Sequence, residues 1–180
     1  VLSFSKDATL DIYFLNVGQG DAIFIVAPNG KNLLVDGGAN ASVLREMGKV
    51  LSFWSRKIDV VLATHPDQDH IGGLPFVFEK YKVSTFIDSV MDSDTSSYKA
   101  LQGLAKEQQV KTFYGLRGML INLDKENGVY LQLLYPEPDD FKISDTNDMS
   151  IVAKLVYGDT SVMLTGDAPK IVETKLLSTD

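Results

Sequence analysis

Short apolar runs dominate the first part of the chain. Runs rich in β-branched and aromatic residues predict strands at residues 10–17, 21–27 and 31–35. Glycine-containing turns at residues 18–20 and 28–30 separate them. Connections this short favour antiparallel pairing, so we expect a three-stranded meander.

The spacing of the apolar residues then changes from every second residue to every third or fourth residue. Six apolar residues follow the helical period and predict an amphipathic helix with one buried face: Val43, Leu44, Met47, Val50, Leu51 and Trp54. The pattern continues as a strand at 58–63, a helix at 72–81, a strand at 84–88, a helix capped by Ser96 or Ser97, and a strand at 111–114.

From about residue 119 the pattern is mainly that of strands. Hairpins are predicted at 120–135 and 150–165, a polar loop at 136–148, and a closing helix at 169–177. Alternating strands and helices followed by hairpins are typical of an α/β (α+β) fold in which helices cover a mixed sheet. Without repeats or linkers, residues 1–180 are expected to form one domain.

Composition narrows the functional classes only modestly. The net charge of −7 disfavours a general nucleic-acid surface, although two bound divalent cations would offset part of it. The absence of cysteine excludes disulfides and thiolate zinc sites. No apolar run approaches the ~18 residues of a membrane span. Because the chain begins with Val1 rather than Met, we expect a trimmed piece, from which an upstream targeting or anchoring segment could have been removed.

Both histidines of the chain lie in one acidic segment. His65, Asp67, Asp69 and His70 follow directly on the predicted buried strand at 58–63. Imidazole and carboxylate groups at a strand end suit a divalent cation such as zinc, manganese or iron. A solvated, Asp-rich turn is the alternative, but it does not explain why both histidines are there.

Two further strand ends carry an acidic residue beside glycine. Asp36 would either cap a turn or accept a hydrogen bond from a ligand imidazole, and Asp167 would either cap the last helix or bind metal. Asn147 and Ser150, where a loop enters a strand, are adequately explained by turn chemistry.

Two other motifs do not match the ligand sites that their residues first suggest. Asp88, Asp92 and Asp94 lack the glycine and glutamate of a calcium loop and are interpreted as a solvated loop. Gly18-Gln19-Gly20 is no dinucleotide fingerprint, because it lacks a third glycine and precedes a strand.

The segment Thr64-His-Pro-Asp-Gln-Asp-His70-Ile-Gly-Gly73 resembles the central motif of the metallo-β-lactamase superfamily. With Asp67 at the second histidine position, it is similar to the ComEC-type DNA-uptake channel proteins. Four other segments agree in order: residues 14–21, residues 34–38, Asn147-x-x-Ser150, and residues 157–167.

The resemblance implies a four-layer αβ/βα sandwich with two divalent metal ions, Mn2+ or Zn2+, at the edge of its two sheets. It places His65 and Asp67 at the first ion, Asp69 and His70 at the second, and Asp167 between them. Asn147 stands roughly where many relatives have a third histidine. The family pattern continues with a strand and a late histidine motif, so either the chain is truncated after Asp180, which we expect, or the parent protein lacks that element.

Three functions follow from this resemblance. The leading hypothesis is hydrolysis of a phosphodiester in single-stranded DNA during DNA uptake, with Asp69 or Asp167 orienting the attacking water or accepting its proton. The second is a hydrolase of a small ester or phosphodiester, such as a phosphocholine ester or a lactone. The third is a non-catalytic module with an incomplete metal site. An extracytoplasmic location beside a membrane channel or anchor segment is expected, and the oligomeric state is left open.

Overall fold

The computed structural model describes residues 9–142 and 145–178. Six strands form one sheet in their order along the chain. The first three pair antiparallel and the last four pair parallel. These strands are β1 (Asp11–Phe14), β2 (Ile23–Val26), β3 (Asn32–Val35), β4 (Lys57–Leu62), β5 (Lys82–Asp88) and β6 (Lys111–Tyr114).

A second sheet of four antiparallel strands has the order β10-β9-β8-β7. Its strands are β7 (Leu120–Asp124), β8 (Val129–Tyr135), β9 (Val152–Tyr157) and β10 (Thr160–Leu164). Short turns join β7 to β8 and β9 to β10, as the two predicted hairpins require, whereas residues 136–151 connect β8 to β9.

Five helices accompany the sheets: α1 (Ser42–Val50), α2 (Gln68–Ile71), α3 (Leu74–Lys80), α4 (Ser96–Glu107) and α5 (Lys170–Leu177). The longest, α4, has 12 residues. Within the described ranges, no helix has both the length and the apolar character needed to cross a bilayer.

Successive side chains of a strand point to opposite faces of its sheet, so each sheet packs on both sides and the fold has four layers. In β3, Leu33 and Val35 pack into a core shared by the two sheets, whereas Leu34 packs into a second core under α1, α3 and α4. On the far side, Tyr135 and Val152 of the four-stranded sheet contact Val172 of α5. The order helix, sheet, sheet, helix is the four-layer arrangement that the resemblance implied.

Two local predictions are wrong. Trp54 lies beyond the end of α1 and is 81% exposed, so the helical period outlasts the helix. The cap of α4 is Thr95, whose hydroxyl accepts from the Tyr98 amide, rather than Ser96 or Ser97. By contrast, the polar loop predicted at 136–148 is confirmed in its described residues, and it contains two short 3-10 turns, Pro138–Lys142 and Asn147–Met149.

The strand directions gather the candidate residues at one edge. Because β3, β4 and β5 are parallel, their carboxyl ends lie together. The segment entering β9 joins them, since the Ile151 amide donates to the Thr64 carbonyl at 2.9 Å. The turn after β10 also lies there, because a Cβ on Gly166 would be 3.0 Å from the Thr64 side chain. We call this edge the metal edge.

Candidate metal centre

A buried carboxylate organises the metal edge. Asp36, which follows β3 and is 0% exposed, accepts hydrogen bonds from the Thr64 amide (2.8 Å), the Thr64 hydroxyl (2.7 Å) and His70 Nδ1 (2.8 Å). Its backbone is left-handed, with φ of 57°. Non-glycine residues adopt this conformation at a cost, so the surrounding bonds must hold it in place.

These bonds fix the tautomers of both histidines. An ionised Asp36 only accepts, so His70 carries a proton on Nδ1 and Thr64 donates its single hydroxyl proton to the carboxylate. The Thr64 oxygen must then accept from His65 Nδ1, which lies 3.0 Å away. Neutral His65 therefore has its free lone pair on Nε2.

The two imidazoles present their Nε2 atoms to the same place. The rings of His65 and His70 have centroids 4.0 Å apart and are tilted by 47°. Asp167, from the turn after β10, places Oδ1 3.3 Å from His70 Nε2. Ligand atoms of His65, His70 and Asp167 all lie within 4.8 Å of one another.

This set fits a divalent cation. His65 Nε2 is buried and has no hydrogen-bond partner within the described residues, although leaving a buried polar atom unpaired costs about 1–3 kcal/mol. An ion between the three side chains would satisfy it. Two neutral imidazole nitrogens and a carboxylate are ligands that zinc, manganese and iron accept.

The two histidines differ in their affinity for protons. Burial, followed by the neighbouring His70, lowers the pKa of His65. Burial also acts to lower the pKa of His70, but the hydrogen bond and charge of Asp36, with help from Asp167 and Asp69, outweigh it and raise the pKa to about 9. Without metal at neutral pH, His65 is neutral and His70 is charged.

The remaining predicted residues surround this group. Asp67 Oδ2 lies 3.9 Å from His65 Nε2, and Asp69 Oδ2 accepts a 3.4 Å bond from Gln19. Neither belongs to the three-residue group, so their metal ligation, and with it a second ion, remain predictions. The side-chain oxygens of Asn147 and Ser150 are buried and unpaired among the described residues, which turn chemistry alone does not explain.

Two interpretations from sequence are wrong. Asp167 does not cap the last helix, because the cap position is Pro169 and no side chain caps it. Asp88 is not solvated, since it is 2% exposed and accepts bonds from Tyr98 and Gln102. Burial raises the pKa of Asp88 to about 6 despite these bonds.

Sequence reasoning missed Thr64, which joins Asp36 to His65. A signal was present, because a hydroxyl residue stands between the apolar strand and the first histidine. It also missed Gln19, whose contact with Asp69 spans 50 positions and has no local signature.

Residues 15–141 match the profile of the metallo-beta-lactamase superfamily, which is well over half of the chain. The chain belongs to this superfamily. It is also 27% identical over 186 aligned positions to ComE operon protein 3 of Bacillus subtilis (strain 168). That alignment covers 93% of this chain and 23% of the relative, so the chain spans less than a quarter of the relative's length.

Solved structures agree on the fold. A metallo-beta-lactamase of Cronobacter sakazakii (HARLDQ motif mutant S60) has a TM-score of 0.59 and 14% identity, over 90% of this chain and 67% of that one. The metallo-beta-lactamase fold protein YhfI of Bacillus subtilis has a TM-score of 0.54 and 18% identity, over 87% and 61%. CmlA, a diiron beta-hydroxylase of Streptomyces venezuelae, has a TM-score of 0.56 and 16% identity, over 95% and 33%. At these identities the likeness shows the fold alone.

The glycine turn before β2 should determine metal affinity. A Cβ on Gly20 would lie 1.6 Å from the Asp69 carbonyl oxygen, whereas a Cβ on Gly18 would meet nothing within 4 Å. Both residues have positive φ, so Gly18→Ala is a control for backbone strain. We expect Gly20→Ala to weaken manganese or zinc binding by about 10-fold to 100-fold, as loss of a supporting contact does. Calorimetry on both variants would measure this, and equal affinities would contradict it.

Metal binding should release a proton from His70. Below its pKa of about 9 that imidazole is protonated on Nε2, the atom that would bind the ion. Affinity should therefore rise with pH by about tenfold per unit and level off near pH 9, with about one proton released per chain at neutral pH. Calorimetry in buffers of different ionisation enthalpy measures that proton, and a heat independent of the buffer would refute the assignment.

Proposed function

We propose that this chain is a metal-dependent hydrolase that cleaves phosphodiester bonds in single-stranded DNA, in a protein associated with DNA uptake. The observation that carries the proposal is the convergence of His65 Nε2, His70 Nε2 and the Asp167 carboxylate on one point. The superfamily to which the chain belongs supports it.

The metal ligands in this proposal are His65, Asp67, Asp69, His70 and Asp167. Divalent ions held there would supply the positive charge that activates a water and stabilises the leaving oxygen of a phosphodiester. A ligand set rich in carboxylates favours manganese over zinc.

The chain's own residues have three tasks in this scheme. Asp36 holds His70 through Nδ1, and Thr64 holds His65, so both rings keep Nε2 directed at the ion. Asp69 is partly exposed and, among the described residues, its side chain accepts only the long Gln19 bond, which leaves it able to take a proton from the attacking water. Asp167, in the turn that follows β10 of the four-stranded sheet, contributes the third side chain of the site.

The surroundings of the metal edge suit a nucleic acid strand. One row of paired residues crosses the six-stranded sheet there: Phe14, Ile23, Val35, Leu62, Ile87 and Phe113. Its two ends are exposed aromatic rings, Phe14 at 73% and Phe113 at 50%. With strands about 4.8 Å apart, Phe113 lies about 10 Å and Phe14 about 14 Å from the strand that leads to His65. Exposed rings at both ends could stack on bases that flank the cleaved bond.

The likeness to ComE operon protein 3 supports a role in DNA uptake. In that role the domain would lie outside the cytoplasm beside a membrane channel or anchor segment of a longer protein. Labelling the full-length protein with a reagent that does not cross the membrane would test this location.

Cleavage should depend on metal and on the assigned residues. We expect the chain to cut a single-stranded oligonucleotide when manganese is added and not after chelation. Asp69→Ala should lower kcat by about 10²-fold to 10⁴-fold, the range for loss of a general base. His70→Ala removes a ligand and should lower kcat/KM by at least about 100-fold. Equal cleavage by the wild type and both variants would reject the assigned roles.

The same assay separates the alternatives. Rapid turnover of a small chromogenic phosphodiester or a phosphocholine ester, with no cleavage of DNA, would favour the small-substrate hydrolase. Two tight metal sites without turnover of any substrate would favour a non-catalytic module. Lys170→Glu, an exposed change on α5, is a control that should leave cleavage unchanged.

Phe113 should contribute to oligonucleotide binding alone. Loss of one stacked base costs about 1–3 kcal/mol, so Phe113→Ala should raise KM for an oligonucleotide about fivefold or more. The rate on a small diester should not change, because that substrate does not reach the ring. Phe53→Ala removes a 77% exposed ring outside the metal edge and is the matched control. An equal loss on both substrates would indicate a structural role for Phe113.

A further inference from the structure

The loop between α1 and β4 exposes two adjacent aromatic side chains. Phe53 is 77% exposed and Trp54 is 81% exposed. Neither ring contributes to a core cluster among the described residues. Their exposure therefore does not follow from the packing of the fold.

The rings of Phe53 and Trp54 contact each other and form one exposed aromatic pair, which we call the knob. Their centroids are 5.2 Å apart at an interplanar angle of 83°. A tight turn supports them, in which the Ser55 amide donates to the Ser52 carbonyl at 2.8 Å. The Arg56 guanidinium donates to the Phe53 carbonyl at 2.7 Å and lies 5.7 Å from the Phe53 ring centroid.

Cations lie beside the knob on the side of Phe53. Arg56 and Lys80 line a hollow of about 340 Å³ beside Phe53, and none of its eight lining residues is acidic. Lys82 is adjacent, since its amide donates to the Arg56 carbonyl at 2.9 Å. Within residues 9–142 and 145–178, no carboxylate pairs with Arg56, Lys80 or Lys82. Glu79 lines a neighbouring hollow with Lys80 and Lys82 but forms an ion pair with neither among the described residues, so the positive charge here is a local excess in a chain of net charge −7.

The knob lies at the edge opposite the metal centre. It directly precedes β4, whose first residue, Lys57, pairs with Lys82 at the start of β5. The candidate ligands follow the other end of β4. Six residues of strand, about 20 Å, separate the two edges.

We propose that Phe53 and Trp54 insert into the interfacial region of a phospholipid bilayer, with Arg56, Lys80 and Lys82 on anionic headgroups. The indole of Trp54 carries a polar N–H and favours the boundary between headgroups and acyl chains, while Phe53 adds apolar surface. Basic residues add about 1 kcal/mol each near an anionic surface. The acidic remainder of the chain is repelled by the same surface, which sets one orientation. In that orientation the metal edge points away from the bilayer, towards solution. The inference does not depend on the proposed function.

A bilayer fits this patch better than a nucleic acid strand does. Base stacking needs open ring faces, but one face of Phe53 is covered by Arg56 and its edge-to-face contact with Trp54 leaves no parallel pair of platforms. A strand bound here would also be about 20 Å from the metal edge.

Trp54 provides a direct test because it is the single tryptophan of the chain. With vesicles of phosphatidylcholine and phosphatidylglycerol in equal amounts, its emission should shift to shorter wavelength and be quenched by lipids brominated in the acyl chain. Vesicles of phosphatidylcholine alone should bind more weakly. In co-sedimentation, Trp54→Ser should lower partitioning by about tenfold or more, and Arg56→Glu by about fivefold or more.

Two matched variants control for general effects of charge and aromaticity. Lys170→Glu changes an exposed cation on α5, and Phe113→Ser removes an exposed ring at the metal edge, so both should partition like the wild type. The proposal is overturned if vesicles neither shift Trp54 emission nor sediment the protein. It is equally overturned if an oligonucleotide quenches Trp54 while vesicles do not, or if Trp54→Ser merely converts a dimer to a monomer in sedimentation.

Discussion

The metal centre depends on one buried carboxylate. Asp36 accepts three hydrogen bonds that connect the end of β3 to the segment after β4 and to α2. A buried charge is tolerated only when its lone pairs are used in this way. Backbone bonds lock the same junction, since Gly37 donates to the His70 carbonyl at 2.7 Å and Gly73 to the Gly38 carbonyl at 2.8 Å. The site is therefore fixed by strand ends rather than by a free loop.

This arrangement allows two histidines to be close together and still present unprotonated nitrogens to an ion, as the candidate metal centre requires. Two charged imidazoles with centroids 4.0 Å apart would repel each other, and the hydrogen bonds avoid this by giving them different roles. Thr64 leaves His65 neutral with a bare Nε2, whereas Asp36 and Asp167 stabilise positive charge on His70. An ion held between them would replace a proton at His70 and would satisfy the unpaired Nε2 of His65.

The sequence predicted the strands and the candidate ligands because both are local patterns. Apolar runs determine the strands, and the segment with both histidines stands out by composition alone. The role of Thr64 could not be predicted, because it depends on the parallel register of β3 and β4, which brings Asp36 within reach. Trp54 was misplaced for a related reason: its position fits the helical period, but α1 ends at Val50 and the chain turns away.

The parallel strands also separate the candidate metal centre from the proposed membrane-binding surface. Parallel pairing puts every carboxyl end on one side and every amino end on the other, so chemistry and surface recognition can develop separately. The carboxyl side collects acidic residues and imidazoles, while the amino side of β4 and β5 carries Arg56, Lys80 and Lys82. Had both sets shared one edge, unpaired cations would have neutralised the carboxylates that the metal site needs. The two edges are about 20 Å apart, which is more than twice the screening length at physiological salt. The charges at one edge therefore have little effect on those at the other.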